Sequence, residues 1–330
     1  MKKIINGINI SIAPLTNLER ADLREVDLAG ANLTGAYLGY ACLNNANLNR
    51  AVLTGAFLMN AELVKANLGN ADLTRAILSE ANLSQVDMRE ANLIEAYLAN
   101  AILIEADLSQ ANLVRANLIE ANLRKAILTE AFLVKTELVG ANLINADLRK
   151  ADLTKSTLNG ADLTGANLEQ VILVEAVMER TNLRQADLSH ANLSYANLRQ
   201  ANLTGTNLAE STSTGINLAE AYLTTAVLSK ADLSQANLSR AELRQTESVG
   251  TNFGQANLSE TNLAQANLAD ANLSETDLSE ANLSQADLSG ANLTQAILNK
   301  AKYDRTKYNY STIFPEGFYA KDHDGLERVD

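Results

Sequence analysis

The side chains that could perform catalysis or bind a metal are few and scattered along this chain. Its two histidines, His190 and His323, have no neighbour at metal-binding spacing, and its one cysteine, Cys42, stands alone. Most of the 39 Asp and Glu residues belong to a repeated pattern, so closeness of two carboxylates is weak evidence for acid–base catalysis. The sequence contains no glycine-rich phosphate loop and no nucleophile elbow. We therefore predict no enzyme activity, no catalytic residues, no cofactor and no metal site.

The elements that position these side chains follow one repeat of five residues. From Leu18 to Leu298 a leucine-like position recurs every five residues without an insertion, and 52 of its 57 residues are Leu. The unit is Ala-(Asn/Asp)-Leu-x-x. Five helical residues rotate by about 500°, which would spread the leucines around a helix, so the period excludes a packed helix despite the helix-forming composition. Alternation of Ala and Leu with polar residues instead indicates short extended segments joined by bends.

This repeat resembles the pentapeptide-repeat family, and the resemblance covers residues 16 to about 313. It implies an all-β fold, a right-handed quadrilateral β-helix (solenoid) with four pentapeptides in each 20-residue coil and about 14–15 coils. The sequence supports the 20-residue coil independently, because stacked positions should carry similar side chains. β-Branched residues recur at that spacing at Thr34, Thr54, Thr74, Ile94, Val114, Val134, Thr154 and Val174.

The two ends of the chain depart from the repeat. Residues 1–15 are predicted to form an N-terminal cap, with Asn6-Gly7 as the turn of a β-hairpin. Residues 16–313 form the repeat domain, which becomes irregular through Tyr303, Tyr308 and Ile313. Residues 314–330 are predicted to be a capping tail, since an open solenoid end exposes strand edges and core leucines. The segment 312–318 resembles the closing segment of bacterial, notably cyanobacterial, family members.

The beginning of the chain also bears on its location. The apolar stretch after Lys2 and Lys3 is short and interrupted by polar residues, and no cleavage site for a signal peptide follows it. It is too short to cross a membrane. A single cysteine permits no intrachain disulfide, which suits a reducing compartment. We predict a cytoplasmic protein without membrane insertion.

Two interruptions of the leucine series concern packing. Ser213 replaces a leucine while Ile216 stands at a nearby alanine position, and Ser248 is followed by Phe253 in the next repeat. A large residue beside each small one is the compensation that a close-packed core requires. A ligand pocket is the alternative interpretation.

The candidate partner face is a row of apolar residues at outward positions. Tyr37, Phe57, Ile77 and Tyr97 precede leucines at 20-residue spacing, and Ile94, Val114 and Val134 occupy spacer positions. A contiguous exposed apolar ridge usually marks a partner site, whereas such ladders can also strengthen coil stacking. We favour the partner site for the aromatic ladder and the stacking role for the β-branched one.

Charge and surface leave three classes of function open. The net charge is −12, with 27 basic residues among the acidic ones, which argues against direct nucleic-acid binding. The favoured hypothesis is a non-catalytic, rod-like β-helix scaffold that presents flat faces to an unidentified protein partner. The alternative implied by the resemblance is an acidic DNA mimic that binds DNA gyrase or topoisomerase. Ice or mineral binding through Thr34, Thr54 and Thr74 is a third, weakened because Ile94 interrupts that ladder. The oligomeric state does not follow from the sequence.

Overall fold

The computed structural model of the protein describes residues 2–5 and 8–329. It divides into two compact units, residues 1–167 and residues 168–330. Regular strands occur only near the ends of the described chain: β1 (Lys2–Ile5), β2 (Ile8–Ser11), β3 (Thr306–Tyr308) and β4 (Leu326–Arg328), with a short 3₁₀ helix at Ala320–Asp322. Between Ser11 and Thr306 the chain is a succession of single parallel bridges and bends.

These bridges join residues that lie one coil apart. Tyr37 bridges Phe57, and Asn197 in the second unit bridges Asn217. Each partner is 20 residues along the chain until the last coil of the second unit, where Asn292 bridges Ile313. The coil therefore takes up 20 residues, the spacing at which the β-branched side chains recur.

The hydrogen bonds of a single repeat explain its sequence. In the repeat that begins at Ala91, the N–H groups of Asn92, Leu93 and Glu95 donate to carbonyls of neighbouring coils at 2.9, 2.7 and 3.0 Å. The N–H of Ala91 donates across the preceding bend at 3.0 Å. The remaining N–H, that of Ile94, donates to the side-chain Oδ1 of Asn92 at 3.3 Å. An Asn or Asp before Leu thus accepts a hydrogen bond from the one N–H of the repeat that has no backbone acceptor.

The inward side chains of the repeat form the core. The repeat Leu residues from Leu23 to Leu293 are buried, as are nearly all the repeat Ala residues. Leu113, for example, has no exposed surface, and neither have Leu93 and Leu133 in the coils on either side of it. Burial of each leucine side chain stabilises the fold by about 1.5–3 kcal/mol, so this column is the main source of stability.

The fifth residue of each repeat has a backbone conformation that L-residues disfavour. Its φ is close to +57°, as at Glu95, and it stands at the third position of a bend closed by a hydrogen bond. Such bends prefer Gly or Asn, but this chain mostly uses Gln, Glu, Lys and Arg. Their side chains bond to one another between coils: Gln265 accepts from Gln245 at 2.9 Å and donates to Gln285 at 3.0 Å. These ladders offset the backbone strain.

The N-terminal end carries two paired strands. β1 pairs with β2 in antiparallel fashion, with Lys2 opposite Ser11 and Ile5 opposite Ile8. The predicted Asn6-Gly7 turn lies outside the described residues.

The C-terminal end carries an added strand and an aromatic cluster. β4 pairs in parallel with β3, and the rings of Phe318 and His323 stack at a centroid distance of 4.1 Å. Burial raises the pKa of Tyr303 to about 12. One extra residue enters the last coil, because Asn292 bridges Ile313 at a spacing of 21. Ile313 is consequently exposed, where strict continuation of the five-residue period would have placed it in the core.

The two interruptions of the leucine series are buried and satisfied. The hydroxyl of Ser213 lies 3.2 Å from that of Ser211, and Ser248 donates to Thr246 at 3.2 Å. Ile216 and Phe253 are both buried, as volume compensation requires.

Candidate functional site

The candidate site in the first unit is a row of four side chains, which we call the aromatic strip: Tyr37, Phe57, Ile77 and Tyr97. Successive parallel bridges place them in adjacent coils. Tyr37 is 47% exposed, Phe57 39% and Tyr97 51%, while Ile77 is half-buried. The rings of Tyr37 and Phe57 are parallel within 4° at a centroid distance of 5.0 Å. The strip is therefore one continuous, outward-facing apolar row.

Three further apolar residues border the strip, and the sequence reasoning missed them because none of them recurs at 20-residue spacing. They are Leu15, Tyr40 and Met59, all exposed. Leu15 lies over Gly35, since a Cβ added to that glycine would come within 2.8 Å of Leu15 Cδ2. The guanidinium of Arg20 lies 5.5 Å from the centre of the Tyr40 ring. Large apolar residues at positions that are otherwise polar were the available signal.

The side chains of the strip cannot accept the hydrogen bond that Asn or Asp accepts at this position elsewhere, from the N–H two residues later. One coil beyond it, Asn117 accepts from the N–H of Ile119 at 3.0 Å. Tyr, Phe and Ile have no oxygen in the corresponding place. Within the part of the chain that the structure describes, no side chain accepts from the equivalent N–H groups of Gly39, Met59, Ser79 and Ala99.

Charged residues stand at the edges of the strip near its last two rungs. The leading edge, at the bend before the strip, has glycine beside the first two rungs and Arg75 and Glu95 beside the last two, and it continues past the strip with Arg115 and Lys135. Arg75 binds Glu95 at 2.7 Å, and Arg115 lies 3.5 Å from the same carboxylate. The hydrogen bond from Arg75 and the charges of both arginines hold the pKa of Glu95 below its ordinary value.

The opposite edge of the strip carries two acidic residues. This trailing edge, at the bend after the strip, runs from Arg20 through Tyr40, Asn60, Glu80 and Asn100 to Glu120, one coil beyond the strip. Among the residues from 12 to 329, neither Glu80 nor Glu120 takes part in an ion pair. At the Ile77 rung and in the coil beyond the strip, Arg75 and Arg115 thus stand on one side, and the carboxylates of Glu80 and Glu120, which have no ion-pair partner in that range, stand on the other.

The other predicted residues of the partner face, Ile94, Val114 and Val134, form a separate row. All three are half-buried. Ile94 stands in the bend before Tyr97, and Val114 and Val134 occupy the same bend in the next two coils, beyond the strip. In the same ladder, the hydroxyls of Thr54 and Thr74 bond to Asp72 at 2.9 and 2.5 Å. These hydrogen bonds join the ladder to Asp72, on the side of the coil that precedes the strip. The arrangement favours a role in coil stacking for this row.

The residues capable of chemistry remain dispersed. His190 Nδ1 lies 3.6 Å from Glu210, and Cys42 Sγ accepts from Asn44 at 3.6 Å. In the described residues, no group of three or more His, Cys, Asp or Glu side chains is arranged to hold a metal ion. Nor does the described chain contain a helix long and apolar enough to span a membrane.

The repeat itself decides the family. The family model for pentapeptide repeats, which comprises eight copies of the unit, matches most of the chain, at residues 16–55, 41–79, 56–93, 91–129, 131–170, 172–209, 214–246, 249–285 and 276–302. The chain belongs to the pentapeptide-repeat family. This confirms the resemblance in the sequence and implies a right-handed β-helix.

Several pentapeptide-repeat proteins of known structure are similar to this chain. HetL, a protein involved in heterocyst differentiation regulation from the cyanobacterium Nostoc sp. strain PCC 7120, is 32% identical over 79% of this chain and 89% of its own, with a TM-score of 0.24. Rfr23 from the cyanobacterium Cyanothece 51142 is 24% identical over 46% and 90%, with a TM-score of 0.24. QnrB1, a plasmid-mediated fluoroquinolone resistance protein, is 16% identical over 69% and 90%, with a TM-score of 0.25. No curated protein sequence matches the chain.

Proposed function

We propose that this pentapeptide-repeat protein is a non-catalytic scaffold whose first unit binds a protein partner through the aromatic strip. The observation that supports the proposal is the replacement of Asn or Asp by apolar residues at four successive rungs, of which Tyr37, Phe57 and Tyr97 are exposed and Ile77 is half-buried. Exposed apolar rows of this kind are typical of interaction surfaces.

Stability alone gives a weak reason for the strip. One stacked aromatic pair contributes about 0.5–1.5 kcal/mol, and other cross-strand pairs contribute about 0.2–1 kcal/mol each. Four capping hydrogen bonds, at about 0.5–1.5 kcal/mol each, would stabilise the coil at least as much. Asn also bonds along the ladder, as Asn217 does to Asn197 at 3.0 Å. Binding explains the choice of aromatic residues better than coil stacking does.

The strip variant tests this function. It carries Tyr37→Asn, Phe57→Asn, Ile77→Asn and Tyr97→Asn, which reproduces the Asn ladder of the second unit. We expect affinity capture from the native cell to lose the partner with the strip variant, because aromatic anchors supply much of the energy of an interface.

A matched control separates the strip from apolar exposure in general. The control variant carries Ile102→Asn, Ile127→Asn and Phe132→Asn, three exposed residues at the same position of the repeat but outside the strip. It should retain every partner. Identical sets of captured proteins for the wild type and the strip variant would contradict the proposal.

The DNA-mimic hypothesis remains the alternative, and the arrangement of charge weighs against it. Acidic residues are interleaved with basic ones: Asp22 binds Arg24 at 2.6 Å, and Asp87 binds Arg89 at 2.6 Å. We therefore expect the purified protein to leave supercoiling by DNA gyrase unchanged at micromolar concentration. Potent inhibition would favour the alternative.

We also propose a quadrilateral cross-section for the coil, with one repeat on each of four sides and about 14–15 coils in the chain. The support is the 20-residue spacing of the bridges, together with one hydrogen-bonded bend for every repeat. A crystal structure with a different number of sides per coil would disprove it.

A further inference from the structure

We infer that the partner of the aromatic strip is a second copy of this chain, related by a two-fold axis parallel to the direction in which the coils of the first unit stack. The inference rests on the proposed function of the strip and specifies its partner. Three properties of the strip support it: its spacing, its charged edges and its area.

The spacing of the strip matches another copy of itself. Its rungs are one coil apart, and the Tyr37 and Phe57 rings lie 5.0 Å from each other. Side chains on one face of a partner strand repeat about every 6.5–7 Å, and those on one face of a helix about every 5.4 Å. Both drift out of register along four rungs. A second coil ladder has the same repeat and stays in register at every rung.

The charged edges select one orientation of the two copies. A two-fold axis parallel to the stacking direction places the leading edge of each copy opposite the trailing edge of the other. At equal height, Arg75 then faces Glu80 of the other copy, and Arg115 faces Glu120. The carboxylates of Glu80 and Glu120 have no ion-pair partner within their own chain, in the range 12–329, so this arrangement provides one for each.

The alternative face-to-face orientation is less favourable. An axis that crosses the centre of the strip at right angles would place leading edge against leading edge with the order of the coils reversed. Arg75 would then face Gly55 of the other copy, and Glu80 would face Asn60. Neither charge would meet an opposite one, and only Glu120 would meet a cation, Arg20, so this orientation forms fewer ion pairs between the copies. The asymmetry of the edges thus discriminates between the two orientations.

The area of the surface predicts a weak dimer. An aromatic side chain has about 150–250 Å² of surface, and those of the strip are 39–51% exposed. The strip and its neighbours Leu15, Tyr40 and Met59 therefore offer roughly 500–600 Å² per copy. A dimer would bury roughly 1,000–1,200 Å², which is the lower limit for a specific protein interface. We therefore expect a dissociation constant of the dimer in the micromolar range.

Sedimentation equilibrium of the full-length chain, from about 1 to 200 µM, tests the inference. The wild type should pass from monomer to dimer across this range. The strip variant should remain a monomer, while the control variant should dimerise like the wild type.

Two charge inversions test the orientation. A leading-edge inversion (Arg75→Glu, Glu95→Arg, Arg115→Glu) keeps the ion pairs within the chain but reverses their sign. A trailing-edge inversion (Glu80→Arg, Glu120→Arg) makes both edges basic. Each variant alone should dimerise at least tenfold more weakly than the wild type, because equal charges then meet. An equimolar mixture should form a heterodimer, since opposite charges meet again at both edges.

The outcomes separate this inference from the proposed function. A wild type that stays monomeric at about 200 µM overturns the inference, as does a mixture that fails to associate while the wild type dimerises. If that monomer still captures a partner that the strip variant loses, the proposed function stands with a different partner. If the wild type neither self-associates nor captures a protein that the strip variant fails to capture, both the inference and the proposed function are overturned.

Discussion

Leu113→Lys is expected to destabilise the first unit by at least about 4 kcal/mol. The leucine side chain has no exposed surface, so the substitution loses about 1.5–3 kcal/mol of apolar burial. It also places an ammonium group without a partner among stacked leucines, at a further cost of several kcal/mol. Urea unfolding followed by far-UV circular dichroism would measure the change.

The neighbouring substitution Asn112→Lys is the matched control. Asn112 points outward and is half-buried. Its Oδ1 accepts one hydrogen bond, from the N–H of Val114 at 3.2 Å, so its replacement should cost only about 1 kcal/mol. Equal losses at positions 112 and 113 would mean that the inward and outward positions of the repeat are wrongly assigned.

The pair Ser248 and Phe253 is expected to give strongly non-additive stabilities. Phe253→Leu alone should leave a cavity and cost about 1–3 kcal/mol. Ser248→Leu alone should overpack the core by a similar amount. It leaves no polar group unsatisfied, because the Thr246 hydroxyl still donates to the Leu243 carbonyl at 3.0 Å. The double substitution restores leucine at both places and should be close to the wild type.

A double-mutant cycle measures the coupling of these two residues. If Phe253 fills the volume that Ser248 leaves, the interaction energy should be at least about 2 kcal/mol. Losses that simply add would show that the two interruptions of the leucine series are independent.

Much of the fold followed from the sequence because the repeat is local and regular. The inward positions of Ala and Leu needed only the two-residue alternation, and the 20-residue coil needed only the ladder from Thr34 to Val174. The use of Gln265 and Glu95 at bends with positive φ was beyond prediction, because local preference favours Gly and the compensating hydrogen bonds lie between coils. The extra residue before Ile313 was also hidden, since nothing local marks where the period slips.

The candidate site was predictable as a row but not as a surface. Tyr37, Phe57, Ile77 and Tyr97 stood out at 20-residue spacing, whereas Leu15, Tyr40 and Met59 did not, because no apolar residue follows or precedes them one coil away. Ile94 and its ladder seemed part of the same face by sequence proximity. The side of the coil to which this ladder belongs depends on the geometry of the bend. The hydrogen bond from Thr74 to Asp72 indicates that side, whereas the residue types alone do not.

The central claim is that the aromatic strip exists for binding rather than for holding the coils together. Equilibrium unfolding of the strip variant in urea tests it most directly. The four Asn residues should gain capping hydrogen bonds about equal in energy to the stacking that they remove. We therefore predict a free energy of unfolding within about 1–2 kcal/mol of the wild type. A loss of more than about 3 kcal/mol would contradict the claim, because the strip would then be part of the structural framework of the first unit.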